Sequence, residues 1–135
     1  MKHKRLHHVG IVMPSMDKAR EFLEYHSLEE DYCEYVEAYN AYCLFTKYNN
    51  EESPIELVIP TKGKLTEFNK GKGGIHHIAF EVEDVELVRE KFEEEGIKLL
   101  ESKAVEGAGN IIVNFLHPRD GFGILTEYVE TVEKD

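Results

Sequence analysis

Two short stretches decide the fold: Leu6-His7-His8-Val9-Gly10-Ile11-Val12-Met13 and Ile75-His76-His77-Ile78-Ala79-Phe80-Glu81-Val82. They align at an offset of 69 residues, and each sets a pair of histidines near the start of an apolar run. The alignment continues without a gap through the next segment, where the matched pairs are Arg20 with Arg89, Glu24 with Glu93 and Leu28 with Ile97. Later the offset grows to 71, so that Glu56 falls on Glu127. Self-similarity of this extent indicates a duplicated unit.

Each half predicts the element order β-α-β-β-β. In the first half we expect strands over 5–13, 28–36, 40–47 and 54–60 and a helix over 16–25. In the second half we expect strands over 75–83, 97–102, 110–117 and 122–130 and a helix over 85–95. Asp17 or Ser15 is expected to cap the first helix and Asp84 the second, which ends at Gly96. We therefore predict one domain over residues 1–135, built of modules at 5–61 and 75–132.

Residues 62–74 are interpreted as the linker between the modules, with a short helix expected over 65–68. The linker contains four glycines and four lysines, the latter being Lys62, Lys64, Lys70 and Lys72. Its glycines do not belong to a Gly-x-x-x-x-Gly-Lys-Ser/Thr phosphate loop. The stretch is typical of a flexible connector that concentrates positive charge in an otherwise acidic chain.

Strand alternation places one histidine of each pair on the face opposite the helix. These are His8 and His77, and the same parity brings Glu56 and Glu127 to corresponding places in the last strands of the two halves. A lone histidine in a strand is more often a hydrogen-bonded core residue, and a glutamate there is usually solvated. Repetition of both residue types favours a shared site instead, because an unpaired buried carboxylate is costly. Imidazole and carboxylate ligands together suit one divalent metal ion, and the candidates are Co, Ni, Zn, Mn and Fe.

Composition excludes several functional classes. The 135 residues include 27 acidic and 16 basic side chains, a net charge of −11 that is unsuited to nucleic-acid binding. No apolar run approaches the ~20 residues of a membrane span. The two cysteines, Cys33 and Cys43, do not form a disulfide framework, and the N-terminus does not resemble a signal peptide. We therefore expect a cytoplasmic protein that binds a small molecule.

The settings of the two histidines and two glutamates resemble the vicinal oxygen chelate superfamily, which includes glyoxalase I, methylmalonyl-CoA epimerase, extradiol dioxygenases and bleomycin- and fosfomycin-resistance proteins. The resemblance covers nearly the whole chain. It is closest to the epimerases over residues 53–60, 109–118 and 123–127. It implies an α+β fold, with a U-shaped eight-stranded mixed sheet, helices outside, and assembly as a homodimer.

The resemblance also implies a function and its residues. The metal ligands fall on His8, Glu56, His77 and Glu127. The implied activity is that of a metal-dependent epimerase of an acyl-CoA such as methylmalonyl-CoA, with Glu127 as the expected catalytic acid or base. Tyr42 and Asn114 are expected to contact the substrate. Tyr42 stands where some epimerases hold a second carboxylate, and the neighbouring candidate for that role is Glu37.

Two alternative functions share this ligand pattern or this fold. A lactoylglutathione lyase of the glyoxalase I type has the same His/Glu/His/Glu set. Against it, Val12 and Pro60 are unable to bind the carboxylates of glutathione at the positions they occupy. A non-catalytic drug-binding protein commonly lacks the metal ligands, so the presence of all four argues against that reading.

Overall fold

The elements follow the predicted order in the computed structural model, which describes residues 3–49 and 51–133. The first half contains β1 (His3–Val12), α1 (Met16–Tyr25), β2 (Glu30–Val36), β3 (Ala41–Thr46) and β4 (Ile55–Pro60). The second contains β5 (Gly74–Val82), α2 (Val85–Glu94), β6 (Val105–Gly107), β7 (Ile111–Leu116) and β8 (Thr126–Thr131). The strands belong to one sheet with the order β2-β3-β4-β1-β5-β8-β7-β6. Parallel and antiparallel pairs are both present, which confirms the predicted α+β class with a mixed sheet.

The chain separates into two compact units, one spanning His8–His76 and the other formed by the residues on either side of it. The divisions fall inside β1 and β5, near the two histidine pairs. A single domain over residues 1–135, with modules at 5–61 and 75–132, stays a prediction. Within the described part of the chain, neither helix has the length and apolar character needed to cross a membrane.

In the unit His8–His76, α1 covers one face of the strands. Ser15 caps this helix by accepting a hydrogen bond from the Lys18 amide, and Ser27 follows the helix with a φ of 53°. Ser15 is thus the cap of the two candidates. The buried residues of this core come from the helix and from alternate strand positions: Met13, Ala19, Leu23, Leu44, Leu57 and Ile59. The side chains at the remaining alternate strand positions therefore point to the face opposite α1.

The other unit repeats this arrangement. Asp84 caps α2 by accepting from the Leu87 amide, and Gly96 ends it with a φ of 79°, as predicted. A positive φ costs glycine little because it has no Cβ. The buried core residues are Val82, Val85, Val88, Leu99, Leu116 and Tyr128.

The strand predicted over 97–102 is wrong. The third element of this unit is β6 at Val105–Gly107, which pairs with β7. Residues 97–102 are held by another route, because the side-chain amide of Asn114 bonds both the N–H and the carbonyl of Glu101. The last strand of this unit, β8, was predicted over 122–130 but begins only at Thr126. Phe122 and Gly123 have φ values of 60° and 87°, so a turn occupies its first residues.

The linker contains the 3-10 segment Lys64–Gly71, which confirms the short helix expected there. The backbone leaves helical geometry from Phe68 to Lys70 and so divides the segment in two. Leu65 and Phe68 pack against Val12, Ala41 and Val58. The linker is therefore seated on the strand face opposite α1.

Candidate metal centre

The first histidine–glutamate pair is positioned by two parallel strands. Glu56 of β4 lies beside Gly10 of β1, and His8 precedes Gly10 by two residues, so all three share a face. The small side of Gly10 leaves room for the two larger side chains. His8 Nε2 lies 3.3 Å from Glu56 Oε1, with the side chains 1% and 10% exposed.

The second pair has the same construction. Glu127 of β8 lies beside Ala79 of β5, two residues after His77. His77 Nε2 lies 3.1 Å from Glu127 Oε1, and both side chains are buried. The duplication seen in the sequence therefore extends to the structure, where the same two atoms, histidine Nε2 and glutamate Oε1, are in contact in each pair.

Each pair is also enclosed by a phenylalanine on the adjacent strand. Phe45 lies opposite Glu56 in the β3–β4 ladder and meets the His8 ring edge to face, with centroids 5.1 Å apart. Phe115 lies opposite Glu127 and meets the His77 ring in the same way at 5.9 Å. Sequence reasoning missed both residues. The repeat could have identified them, because they are 70 residues apart, a separation between those of the two histidines (69) and the two glutamates (71).

An aromatic layer continues from Phe45 onto β2. Tyr32 stacks on Phe45 with ring centroids 5.1 Å apart. Burial, assisted by the negative charges of Glu34 and Glu56, raises the pKa of Tyr32 well above its usual range. The phenol therefore remains protonated near Glu56 and adds no charge to the site.

The four predicted ligands can hold a metal ion. Each offers one donor atom, and these atoms all lie within 4.8 Å of one another. Two donors bound about 2.1 Å from one ion, at tetrahedral or octahedral angles, lie roughly 3.0–3.4 Å apart. The distances of 3.3 and 3.1 Å within the two pairs agree with this requirement. A divalent cation would also balance two buried carboxylates while both imidazoles stay neutral.

Tyr42 lies on the other face of β3. Leu44 packs into the core beneath α1, whereas Ala41 packs on the face of Glu56. Because alternate residues face opposite sides, Tyr42 shares the side of Leu44, where its ring meets Tyr35 at 5.0 Å. Tyr42 therefore lies on the opposite strand face from Glu56, and its contact with substrate stays a prediction. Glu37 is exposed in the turn Glu37–Tyr39, outside β3.

Asn114 is fully buried, and its amide is engaged by the backbone. Its Nδ2 donates to the Glu101 carbonyl, and its Oδ1 accepts from the amides of Glu101 and Phe115. These bonds assign Asn114 a structural task in holding the segment before β6. Its contact with substrate stays a prediction.

The fold agrees with comparisons to known proteins. Residues 7–115 match the family described as the glyoxalase/bleomycin resistance protein/dioxygenase superfamily. The chain belongs to this superfamily. Its relatives within the superfamily include the mitochondrial methylmalonyl-CoA epimerase of Homo sapiens, which is 31% identical over 129 residues, 91% of this chain and 72% of that protein.

Solved structures of superfamily members are similar over nearly the full chain. The methylmalonyl-CoA epimerase of Mycobacterium tuberculosis has a TM-score of 0.88 at 26% identity, covering 97% of this chain and 90% of the other. An epimerase of Streptomyces coelicolor in complex with 2-nitronate-propionyl-CoA has a TM-score of 0.87 at 27% identity, covering 98% and 100%. These relatives and structural neighbours are thus methylmalonyl-CoA epimerases.

Proposed function

We propose that this protein is a metal-dependent epimerase of methylmalonyl-CoA or a closely related acyl-CoA. The observation that carries the proposal is the set of two imidazoles and two carboxylates, buried and within 4.8 Å of one another. Support comes from the epimerases among its relatives and from the acyl-CoA analogue in a structurally similar one. The donor set suits Co, Ni, Zn, Mn or Fe.

The ligands divide between holding the metal and moving a proton. His8, Glu56 and His77 would hold the ion together with Glu127. The ion, when bound, supplies Lewis-acid stabilisation of the negative charge that develops on the substrate oxygens. Phe45 and Phe115 keep water from one side of each imidazole and hold the rings in orientation.

Glu127 is the proposed proton carrier. The α-carbon of a malonyl thioester lies between the thioester carbonyl and a carboxylate, and the thioester carbonyl makes its proton acidic. As the C–H bond breaks, its electron pair moves toward the thioester oxygen and the proton passes to the Glu127 carboxylate. The electron pair then returns from the thioester oxygen to the α-carbon, which takes a proton from an acid on its opposite side to give the epimer, and Glu127 releases its proton to solvent. Positioned acid–base catalysis of this kind contributes about 10²–10⁴-fold in rate.

Solvent deuterium tests the proposal. The protein, reconstituted in turn with each candidate metal, is incubated with (R)- or (S)-methylmalonyl-CoA in D₂O. We expect one α-deuteron to be incorporated with formation of the other epimer, and loss of both after treatment with a chelator. A Glu127→Gln variant serves as the protein control. Absence of exchange with every divalent metal would refute the epimerase while leaving the fold assignment intact.

The proposal extends to assembly and location. We propose a homodimer in the cytoplasm, as the family resemblance implies. Light scattering of the purified protein should give twice the monomer mass of 15.6 kDa. A mass near 15.6 kDa at micromolar concentration would contradict the dimer.

A further inference from the structure

The linker carries a concentrated positive charge. Residues 62–72 hold four lysines and one acidic residue, Glu67, in a chain whose net charge is −11. The lysine side chains are all exposed. Over residues 3–49 and 51–133, none of these four lysines forms an ion pair, in contrast to Lys18 with Glu21 and Lys47 with Glu29. The four charges are therefore available to an external anion.

This segment lies on the same strand face as the first ligand pair. Leu65 and Phe68 pack on Val12 and Val58, which pair with each other in the β1–β4 ladder. That pair lies two residues beyond Gly10 and Glu56, or about 7 Å along the strands. A molecule whose reacting end lies at Glu56 would meet the linker as it extends along the strands.

The backbone of the segment is held in place. Gly73 has a φ of 77°, and a Cβ on it would lie 2.3 Å from the Val12 carbonyl oxygen, so only glycine allows this approach. The Asn69 side-chain amide donates to the Gly73 carbonyl at 2.6 Å. A small recess beside these contacts is lined by Val12, Pro14, Pro60, Thr66, Phe68, Gly71 and Gly73. Lys70 and Lys72 flank Gly71 at this recess. Because the backbone here is already held in place, binding an anion would cost little conformational entropy.

We propose that the lysines of residues 62–72 bind the phosphates of the coenzyme A portion of the substrate. This inference rests on the proposed function. Coenzyme A carries a diphosphate and a 3′-phosphate, separated from the thioester by the pantetheine arm. An acidic protein repels such a polyanion, and a local group of ammonium charges offsets that repulsion and directs its approach. The charge of the linker thereby selects a coenzyme A thioester over a thioester that lacks phosphates.

The test compares two substrates that differ only in the phosphate-bearing end. Steady-state kinetics are measured with methylmalonyl-CoA and with methylmalonyl-pantetheine, for the wild type and a Lys70→Gln/Lys72→Gln variant. We expect KM for methylmalonyl-CoA to rise at least about fivefold, with kcat unchanged. KM for methylmalonyl-pantetheine should stay the same. The matched control is Lys98→Gln/Lys103→Gln, which removes the same charge from exposed positions of the other unit and should alter neither KM.

The outcomes separate this inference from the proposed function. If KM rises equally for both substrates, or stays constant even when all four lysines are replaced by glutamine, the phosphate assignment is overturned. If the wild type converts neither thioester, the epimerase is refuted, and direct calorimetric titration with coenzyme A then decides the subsite. Binding of coenzyme A that weakens in the linker variant supports the subsite, and absence of binding to the wild type refutes it.

Discussion

Phe45 lies directly across the ladder from Glu56 and turns its ring against the imidazole that Glu56 contacts, with the Phe45 and His8 planes at 85°. Phe115 stands in the same relationship to Glu127 and His77, again at 85°. Each imidazole is thus bounded by a carboxylate and by an aromatic ring. Such neighbours restrict the orientation of a metal ligand and so raise its affinity.

Replacing either phenylalanine should weaken metal binding without removing a ligand. Phe45→Leu and Phe115→Leu each leave the His8 or His77 ring less confined, so we expect about a 10–100-fold loss of metal affinity. Competition with a chromogenic chelator measures it. Phe92→Leu, on the side of α2 that packs against the core, is the control and should lower stability alone. Unchanged affinity in both site variants would contradict the orienting role.

The two glutamates should differ in what their loss does to the reaction. We expect Glu127→Gln to reduce α-proton exchange by about 10²–10⁴-fold even at saturating metal, since the amide cannot accept the proton. Glu56→Gln removes a ligand of the same type, and its loss of rate should be recovered largely by raising the metal concentration. Exchange rates measured across a metal titration distinguish the two. Equal recovery of both variants would remove Glu127 from proton transfer.

Asn114 should behave as a structural residue in a stability measurement. Asn114→Ala strands buried backbone groups at Glu101 and Phe115, so we expect a loss of about 2–4 kcal/mol in the free energy of unfolding. Urea denaturation measures this loss. Asn49→Ala, which removes one exposed hydrogen bond to the Glu51 amide, should cost about 1 kcal/mol or less. A rise in substrate KM at Asn114→Ala with little change in stability would instead favour the predicted substrate contact.

The contribution of Glu81 to stability should depend on pH. Burial alone would raise the pKa of Glu81, but the hydrogen bond from Thr131 and the charge of Arg5 outweigh it and lower that pKa. A carboxyl with a lowered pKa in the folded state stabilises the protein above its unfolded value near ~4.3. This stabilisation is lost as the pH falls through the folded value.

Glu81→Gln should therefore reduce the free energy of unfolding by about 1–2 kcal/mol at pH 7. The difference from the wild type should shrink in a denaturation series taken below pH 4. Glu94→Gln, an exposed residue at the end of α2, is the control and should show little difference at either pH. A deficit of constant size from pH 7 to pH 3 would show that the charge of Glu81 is not involved.

Much of the site was predictable because a duplication repeats its information. The separations of His8 from His77 and of Glu56 from Glu127 differ by only two residues, so each ligand supports the assignment of its counterpart. The alternation of side chains along β1 and β5 then assigns each histidine to one face of its strand, without knowledge of how the strands pair. Local signals were equally reliable at helix ends, where Ser15, Asp84 and Gly96 act through neighbouring backbone groups.

Contacts between strands were less accessible to sequence reasoning. The position of Phe45 beside His8 depends on the register of β3 against β4, and the side taken by Tyr42 depends on the same register. A shift of one residue would exchange the two faces of the strand. The segment 97–102 has the apolar residues of a strand, yet the Asn114 side chain occupies the backbone groups of Glu101 that a neighbouring strand would use.

The sequence by itself determined the element order, the duplication and the four residues that could hold a metal ion. Hydrophobic periodicity and helix capping act over a few residues, and the repeat presents each of these signals twice. Only the tertiary structure decided the location of β6, the aromatic partners of the histidines and the seating of the lysine-bearing linker on Val12 and Val58. Those features arise where distant segments pack against one another. Their choice of partner depends on the register and shape of the folded chain, which local sequence patterns do not specify.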